Sequence, residues 1–462
     1  MKRIYGEKGQ ASKPKSTEYH NKISDRKRGI IQMIGYGITN FKAFQHTTEI
    51  DLKPLTLMFG YNSAGKSSLL RVLPFFRDAV LNRNGGPLPL KSEAIRGASF
   101  DDIRCKTSSQ PVIIFEMKFR GRIQRYQITI RDIPEHKRQI VERAVVYGPD
   151  ETPLMTLDWL PSDDGLSQSF ESYTCTTFLS NVAHQDVLEV DFEGFIPVIN
   201  YDTTDNAGYI GTVVLLRRAL ERSTSNIYWL KALRCVPSRQ ETFDNVPERM
   251  KPDGSGASQI LAYNDLHGSE VLQDVVSWYK RATGSLFEIK KGAFLGTDLI
   301  SATLAPLEAA SATVALTDTG EGMGQVLPIL TLLALARHRK LGDNPLLAVE
   351  HPELHLHPSA HPSLADLFCE AASIDSPPNI IVETHSENFL LAVQLSIIEG
   401  RLPASSVVIY WVRYRNETAI AEKIEFDTLG RPKGDNWPPG LFNESTEQSR
   451  KIILARKKQQ KL

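Results

Sequence analysis

Cysteine is scarce in this chain: Cys105, Cys175, Cys235 and Cys369 stand far apart and form no C-x-x-C pair. That spacing argues against a disulfide framework or a cysteine zinc site and suits a reducing compartment, so a cytoplasmic location is expected. Long apolar runs are also missing. The longest, Val326 to Ala336, is broken by Pro328 and Thr331 and falls well short of the roughly 20 residues a membrane-spanning helix needs. No membrane contact is expected. The polar N-terminus lacks the apolar core of a secretory signal. Neither sign of charge is in excess, because 54 basic residues balance 54 acidic ones. A global polybasic surface is excluded, and any contact with nucleic acid must come from local patches. Internal repeats, low-complexity tracts and sustained heptads are absent as well, which excludes a solenoid and a long coiled coil.

What is present is a 462-residue chain with 41% hydrophobic residues, enough for a large core or for two lobes. Residues 1–29 are rich in Lys, Arg, Ser and Gly without hydrophobic period, and read as a disordered basic arm. Residues 446–462 form a second basic tail. For both, a solvated terminus and a docking or DNA-touching role stay open. Between Ile34 and Phe59 the pattern suggests short strands, and from Pro111 to Arg131 and Gln139 to Tyr147 it alternates as antiparallel strands do. Gly211 to Leu233 and Ser269 to Ala282 read as helices, and Asp244 to Gly256 reads as a loop. Trp229, Trp278 and Tyr279 are expected in a core. Arg217, Arg218, Arg222, Arg234 and Arg239 suggest either a solvated helix face, which is favoured, or a basic face for nucleic acid.

The most informative segment is Gly60-Tyr61-Asn62-Ser63-Ala64-Gly65-Lys66-Ser67-Ser68. It is a complete G-x-x-x-x-G-K-S phosphate-binding loop. The strand-like Leu55 to Phe59 precedes it and a helix-like stretch from Leu69 follows, which is the context such a loop requires. Backbone N–H groups of the loop cradle phosphates, Lys66 reaches the β- and γ-phosphates, and the Ser67 hydroxyl holds Mg²⁺. The expected ligands are therefore a nucleotide and Mg²⁺. An acid at the end of a neighbouring strand completes such a site, and Pro345-Leu346-Leu347-Ala348-Val349-Glu350 supplies one. Asn379 to Glu383 is a second short apolar run ending in an acid, followed by Thr384-His385-Ser386. Asp318 to Gln325 is a further glycine-rich turn ahead of a helix-like stretch.

Taken in order, Ile38 to Phe44, the phosphate-binding loop, Gly320–Gln325, Val349 to Pro358 and Val382 to Ser386 resemble the ABC-type ATPases of the SMC, RecF and OLD group. The chain is most similar to the stand-alone AAA-like ATPases of bacterial anti-phage systems such as Septu and PARIS. Asn436 to Phe442 also resembles the end of those chains. The resemblance implies an α/β fold, an ABC-type P-loop ATPase head with a mixed sheet, an antiparallel β-lobe and a helical insertion. The expected parts are an N-terminal ATPase lobe over 30–205, a mainly helical insertion over 206–300 and a C-terminal ATPase lobe over 301–445.

By position, the resemblance implies that Asn62, Ser63, Ala64, Gly65, Lys66, Ser67 and Ser68 bind ATP. Ser67 and Glu350 would serve the metal, with Glu350 in the Walker B slot. Gly320, Gly322, Gly324 and Gln325 match the signature loop, which would contact the γ-phosphate held by an opposite protomer. His385 matches the switch histidine, and His357-Pro358 falls in the region of the dimer seam. Two departures stand out. His351 occupies the position where many relatives carry the glutamate that activates water, and Gly324 replaces a serine. His351, with Glu353 or Glu350, is left to do that work, so a slow, switch-like ATPase is expected; a turnover near the enzyme median of roughly 10 s⁻¹ would contradict it. The dense His351, His355, His357 and His361 also raise a transition-metal site, which Pro352 and Pro358 disfavour by interrupting a helix.

The implied machine is a homodimer with ATP sandwiched between heads; higher assembly and a DNA contact stay open. The expected role is sensor or regulatory subunit of an anti-phage complex, controlling a separate nuclease or toxin. Only about 75 residues follow His385, too few for an appended nuclease on ordinary domain sizes. The alternative is a RecF- or SMC-like ATPase that clamps DNA directly in repair.

Overall fold

The computed structural model describes residues 31–82, 86–161, 171–179, 182–199, 207–309, 312–434 and 450–453. The basic arm of 1–29, the 436–442 segment and most of the 446–462 tail lie outside them. The chain opens with the hairpin β1 (Gln32–Thr39) and β2 (Thr48–Asp51), then β3 (Leu55–Gly60) and helix α1 (Lys66–Leu81). A single turn, α2 (Phe100–Ile103), is held by a capping box between Ser99 and Asp102. Seven strands follow, β4 to β10, at Val112–Arg120, Arg125–Ile133, Arg138–Tyr147, Pro153–Trp159, Glu171–Leu179, Val182–Glu193 and Ile196–Ile199. Together with β1 and β2 they make a nine-stranded antiparallel sheet, the expected β-lobe.

Helix α3 (Ala207–Thr224) leads to β11 (Ile227–Leu230), a short β12 (Glu241–Thr242), α4 (Ala257–Leu266) and α5 (Val271–Thr283). The long hairpin β13 (Ser285–Phe294) and β14 (Thr297–Pro306) comes next, flanked by β15 (Val314–Ala315). The last third alternates helix and strand: α6 (Glu321–Arg337), β16 (Leu346–Glu350), α7 (His361–Ala372), β17 (Asn379–Glu383), α8 (Glu387–Ile398), β18 (Val407–Arg415) and β19 (Thr418–Ile424).

The site-bearing sheet has the order β11-β16-β17-β3-β18-β19, parallel except for the β18–β19 hairpin. Its parallel strands are apolar on both faces, as buried strands must be. Met58, Ala348 and Ile381 pack toward α1 and the β-lobe, whereas Leu57, Leu347 and Val382 pack toward α6, α7 and α8. Helix α1 is thus fixed between two sheets. The Tyr36 hydroxyl, on the β-lobe, donates to the Leu69 carbonyl at 2.8 Å and ties the helix to it.

Two sequence expectations change here. The helix read through Leu233 ends at Thr224, and Ile227-Tyr228-Trp229-Leu230 is a strand. Four apolar residues beside a parallel neighbour gain more as an edge strand on Leu346–Val349 than as a helix end. The stretch expected as a mainly helical insertion therefore contributes β11 to the central sheet and also holds the β13–β14 hairpin. Trp278 and Tyr279 are core residues, on the same face of α5 as Val271 and Val275.

Candidate functional site

The phosphate-binding loop is formed by two glycines whose backbones no other residue would tolerate. Gly60 ends β3 with φ 144°, and a Cβ there would lie 2.0 Å from the Val412 carbonyl on β18. Gly65 has φ 107°, and a Cβ would press within 2.8 Å of the Phe44 ring. Asn62 and Ser63 are exposed at the tip, Ala64 is buried, and Lys66 opens α1 with only 4% exposure. The Lys66 ammonium donates to the carbonyls of Gly60, at 3.0 Å, and Tyr61, at 2.9 Å. It is thus held inside the loop it would share with phosphates. Burial pulls its pKa down, with the Glu383 carboxylate opposing.

Two buried carboxylates, Glu350 and Glu383, gather below the loop, and strand order decides what each one touches. β17 lies directly beside β3, and β16 lies one strand further away, so Glu383 faces Met58 in register while Glu350 faces Glu383. Accordingly the Ser67 hydroxyl donates to Glu383 Oε1 at 2.8 Å. Glu350 instead takes a two-pronged contact from Arg71 of α1, both distances 2.6 Å, and a third donor from the Trp229 indole at 2.9 Å. Glu350, expected to share a metal with Ser67, has its oxygens engaged in a buried ion pair, 1% exposed.

The two histidines of the site are stacked. The His351 and His385 rings lie 5.3 Å apart and nearly parallel, at 8°. His351 has φ 42°, a conformation few side chains adopt and one that clusters at functional sites. Its backbone N–H donates to the Glu383 carbonyl at 2.8 Å; its Nε2 is 3.6 Å from Glu383 Oε1, and its Nδ1 is 3.7 Å from Glu353 Oε1. Burial lowers the His351 pKa, but Glu353, Glu383 and Glu350 outweigh it and hold the ring above the usual imidazole range. His385 behaves oppositely: burial, with Lys66 and His351 nearby, pushes it down to about 4. It is therefore a neutral hydrogen-bonding ring at pH 7. Glu353 Oε1 accepts the His385 backbone N–H at 2.9 Å, fixing one histidine loop to the other.

The remaining histidines have separate tasks. His361 shares hydrogen bonds with Ser386 Oγ, at 2.8 Å, and the Leu356 carbonyl, at 3.3 Å; His357 pairs with Ser359; His355 stands 3.7 Å from Glu321. Among the described residues no group of three or more His, Cys, Asp or Glu side chains is placed to hold a metal ion by itself.

The glycine turn falls inside the first turn of α6. Gly320 and Glu321 are exposed, but Gly322, Gly324 and Gln325 are buried within their own protomer. A Cβ on Gly322 would lie 2.3 Å from the His355 carbonyl, and one on Gly324 would lie 2.5 Å from Val236. These glycines make room for close packing. Of the residues expected to face an opposite nucleotide, Gly322, Gly324 and Gln325 are buried in their own protomer, and Gly320, with Glu321, forms the exposed end of that helix.

Arg234 was read as part of a helix face, and the structure places it off any helix at 5% exposure. Its guanidinium donates to the carbonyls of Gln325 (2.8 Å), Lys231 (2.8 Å), Glu350 (2.9 Å) and His351 (3.1 Å). Arg239 pairs with Asp318, and Arg217 with Glu193 and Glu221, so these three do not form a free basic face. Sequence reasoning also left out Glu383 and Arg71 as site residues. The acid at the end of β17 was a visible signal; Arg71 carried none, because its partner is 279 residues away.

Comparison with known proteins agrees with this arrangement. Residues 36–140 match a family described as AAA ATPase domain, and residues 288–392 match one described as AAA domain, putative AbiEii toxin, Type IV TA system. No curated protein is significantly similar to the chain. Among solved structures, an SMC head bound to the C-winged helix domain of ScpA is 12% identical, covering 86% of this chain and 98% of its own, with TM-score 0.43. An SMC head from Pyrococcus furiosus bound to the C-terminal domain of ScpA is 11% identical (93% and 100% covered, TM-score 0.43). The SMC head domain from Thermotoga maritima is 10% identical (85% and 99% covered, TM-score 0.39). The fold assignment rests on the chain's own topology. A P-loop strand stands between the parallel strands β17 and β18, β17 and the next strand out, β16, both end in acids, and an antiparallel lobe covers one face. No described helix is long and apolar enough to cross a membrane. The two matched segments cover the two halves of the site, the phosphate-binding loop in one and the glycine turn, β16, β17 and both stacked histidines in the other, and mark them as AAA-type ATPase sequence.

Proposed function

We propose that this protein is an ATP-driven switch: it binds ATP and Mg²⁺, hydrolyses ATP slowly, and uses the bound state to join two heads and control a separate effector. One observation carries the reading, the fully formed phosphate-binding loop with Lys66 held at its centre and Ser67 beside a buried strand-end acid. Slow turnover follows from His351 standing where a water-activating glutamate is expected, and from Gly324 standing where a serine is expected. Head pairing is supported by the N-terminus of α6. It has no side-chain cap, and Gly320 is exposed, so its N–H groups can meet a phosphate on a second copy. The defence role draws on the second matched family, whose description names a putative AbiEii toxin of a Type IV TA system. The effector would be a nuclease or toxin on another chain, controlled by a shift between open and closed heads.

The first test is binding. Lys66→Ala is expected to weaken ATP binding by about 100-fold, the value of one or two charge-assisted hydrogen bonds to phosphate. Isothermal titration checks it, and an unchanged Kd would remove the reading. Affinity purification from native cells with mass spectrometry tests the role. A stoichiometric nuclease or toxin supports it; recovery with DNA and repair factors alone favours a DNA clamp.

A further inference from the structure

We propose that Glu383, at the end of β17, is the carboxylate that serves the nucleotide-bound divalent cation, and that Glu350 is a structural counter-ion to Arg71. The inference rests on the phosphate-binding reading and assigns the metal role within that site.

The two acids differ in what their oxygens already have. Glu350 receives three donors, two from Arg71 and one from Trp229, and its charge is matched by the guanidinium. Recruiting it to a cation would mean breaking a buried two-pronged pair. Glu383 receives one side-chain donor, the Ser67 hydroxyl, and its Oε2 is buried with no hydrogen-bond partner. An ionised carboxylate left this way at 2% exposure is costly unless something completes it. Burial accordingly pushes its pKa up, with Glu350 adding to the effect and His351, Ser67 and Lys66 opposing.

A cation at Ser67 would complete Glu383. Mg²⁺ prefers one or two carboxylates, phosphate oxygens and retained waters to an all-protein cage. The described residues fit that mode, because they provide a hydroxyl and one under-used carboxylate beside a phosphate cradle. Strand order brings Glu383 directly beside β3, where the Ser67 hydroxyl reaches it. Arg71 stands with Glu350 and would repel a cation placed there.

The test uses Mn²⁺ as probe ion with ADP and the full chain. Mn²⁺ affinity of the protein–ADP complex is read by electron paramagnetic resonance, and ADP affinity is read separately in EDTA. Glu383→Gln is expected to weaken Mn²⁺ binding by roughly 10–100-fold, the range seen when a metal site loses a supporting group, with ADP affinity in EDTA retained. Glu350→Gln is expected to retain Mn²⁺ affinity. The reverse pattern overturns the proposal. If either variant fails to fold, the anomalous signal of Mn²⁺ in ADP-loaded wild-type crystals decides: a peak beside Ser67 and Glu383 supports it, and one against Glu350 overturns it. Wild-type protein that binds no ADP, with or without Mn²⁺, would instead overturn the phosphate-binding reading itself.

Discussion

Replacing Glu350 by alanine is expected to lower the unfolding free energy by about 3–5 kcal/mol, the cost of removing one partner from a buried ion pair. The reason is what stays behind. The Arg71 guanidinium, with a side chain only 13% exposed, would lose both of its carboxylate contacts. The Trp229 indole N–H would lose its acceptor, with its residue 4% exposed. Arg71 also lies over the Trp229 ring, 5.7 Å from its centroid, so the three side chains clamp α1 to β11 and β16. Glu350→Gln keeps the shape and one acceptor and should cost less, about 1–3 kcal/mol. Replacing both members by apolar residues of similar size should recover most of the loss, because the pair's desolvation disappears with it. Urea denaturation of the single and double variants gives the coupling directly. A Glu350→Ala loss below about 1 kcal/mol, the range of an exposed pair, would show that the clamp is not structural.

Arg234→Ala should come second, at about 3–4 kcal/mol, from several charge-assisted hydrogen bonds whose removal strands buried carbonyls. Four carbonyls share this guanidinium: Gln325 in the first turn of α6, Glu350 and His351 at the end of β16, and Lys231 after β11. Burial pulls its pKa down to about 10, with Glu353 and Glu350 opposing, so it stays charged at neutral pH. Arg234 thus joins the glycine-turn helix to the strand end that carries Glu350 and His351. Lysine keeps the charge but lacks the planar fork and cannot span four acceptors, so Arg234→Lys should restore less than half of the stability. The same urea series measures it, and full rescue by lysine would mean that charge, not the fork, is what matters.

Some of this was legible in the sequence, because some of it is local. The phosphate-binding loop is contiguous: glycines at fixed spacing, Lys66 and Ser67 need only their own strand and helix to take position. The short apolar runs 346–349 and 380–382 announced parallel strands, since a strand covered on both faces is apolar along its length rather than at alternate positions. The alternation over 111–131 likewise announced β4 and β5. Other features depended on distance along the chain. A four-residue run such as Ile227–Leu230 reads as helix or strand until its neighbour is known, and the neighbour, β16, lies more than a hundred residues on. Arg234 read as surface because arginines are mostly exposed, and only the meeting of α6, β11 and β16 buries it.

The sequence by itself determined that a phosphate-binding loop exists, that two acids close two buried strands, and that His351 and His385 follow them. These are properties of spacing and hydrophobic pattern, which the chain carries in one dimension. Only the tertiary structure decided which acid meets Ser67. β17 inserts between β3 and β16, one strand width separates the two carboxylates, and Arg71 neutralises the farther one. Hydrogen bonds and ion pairs act over a few ångströms, so strand order, which no local pattern encodes, assigns the roles.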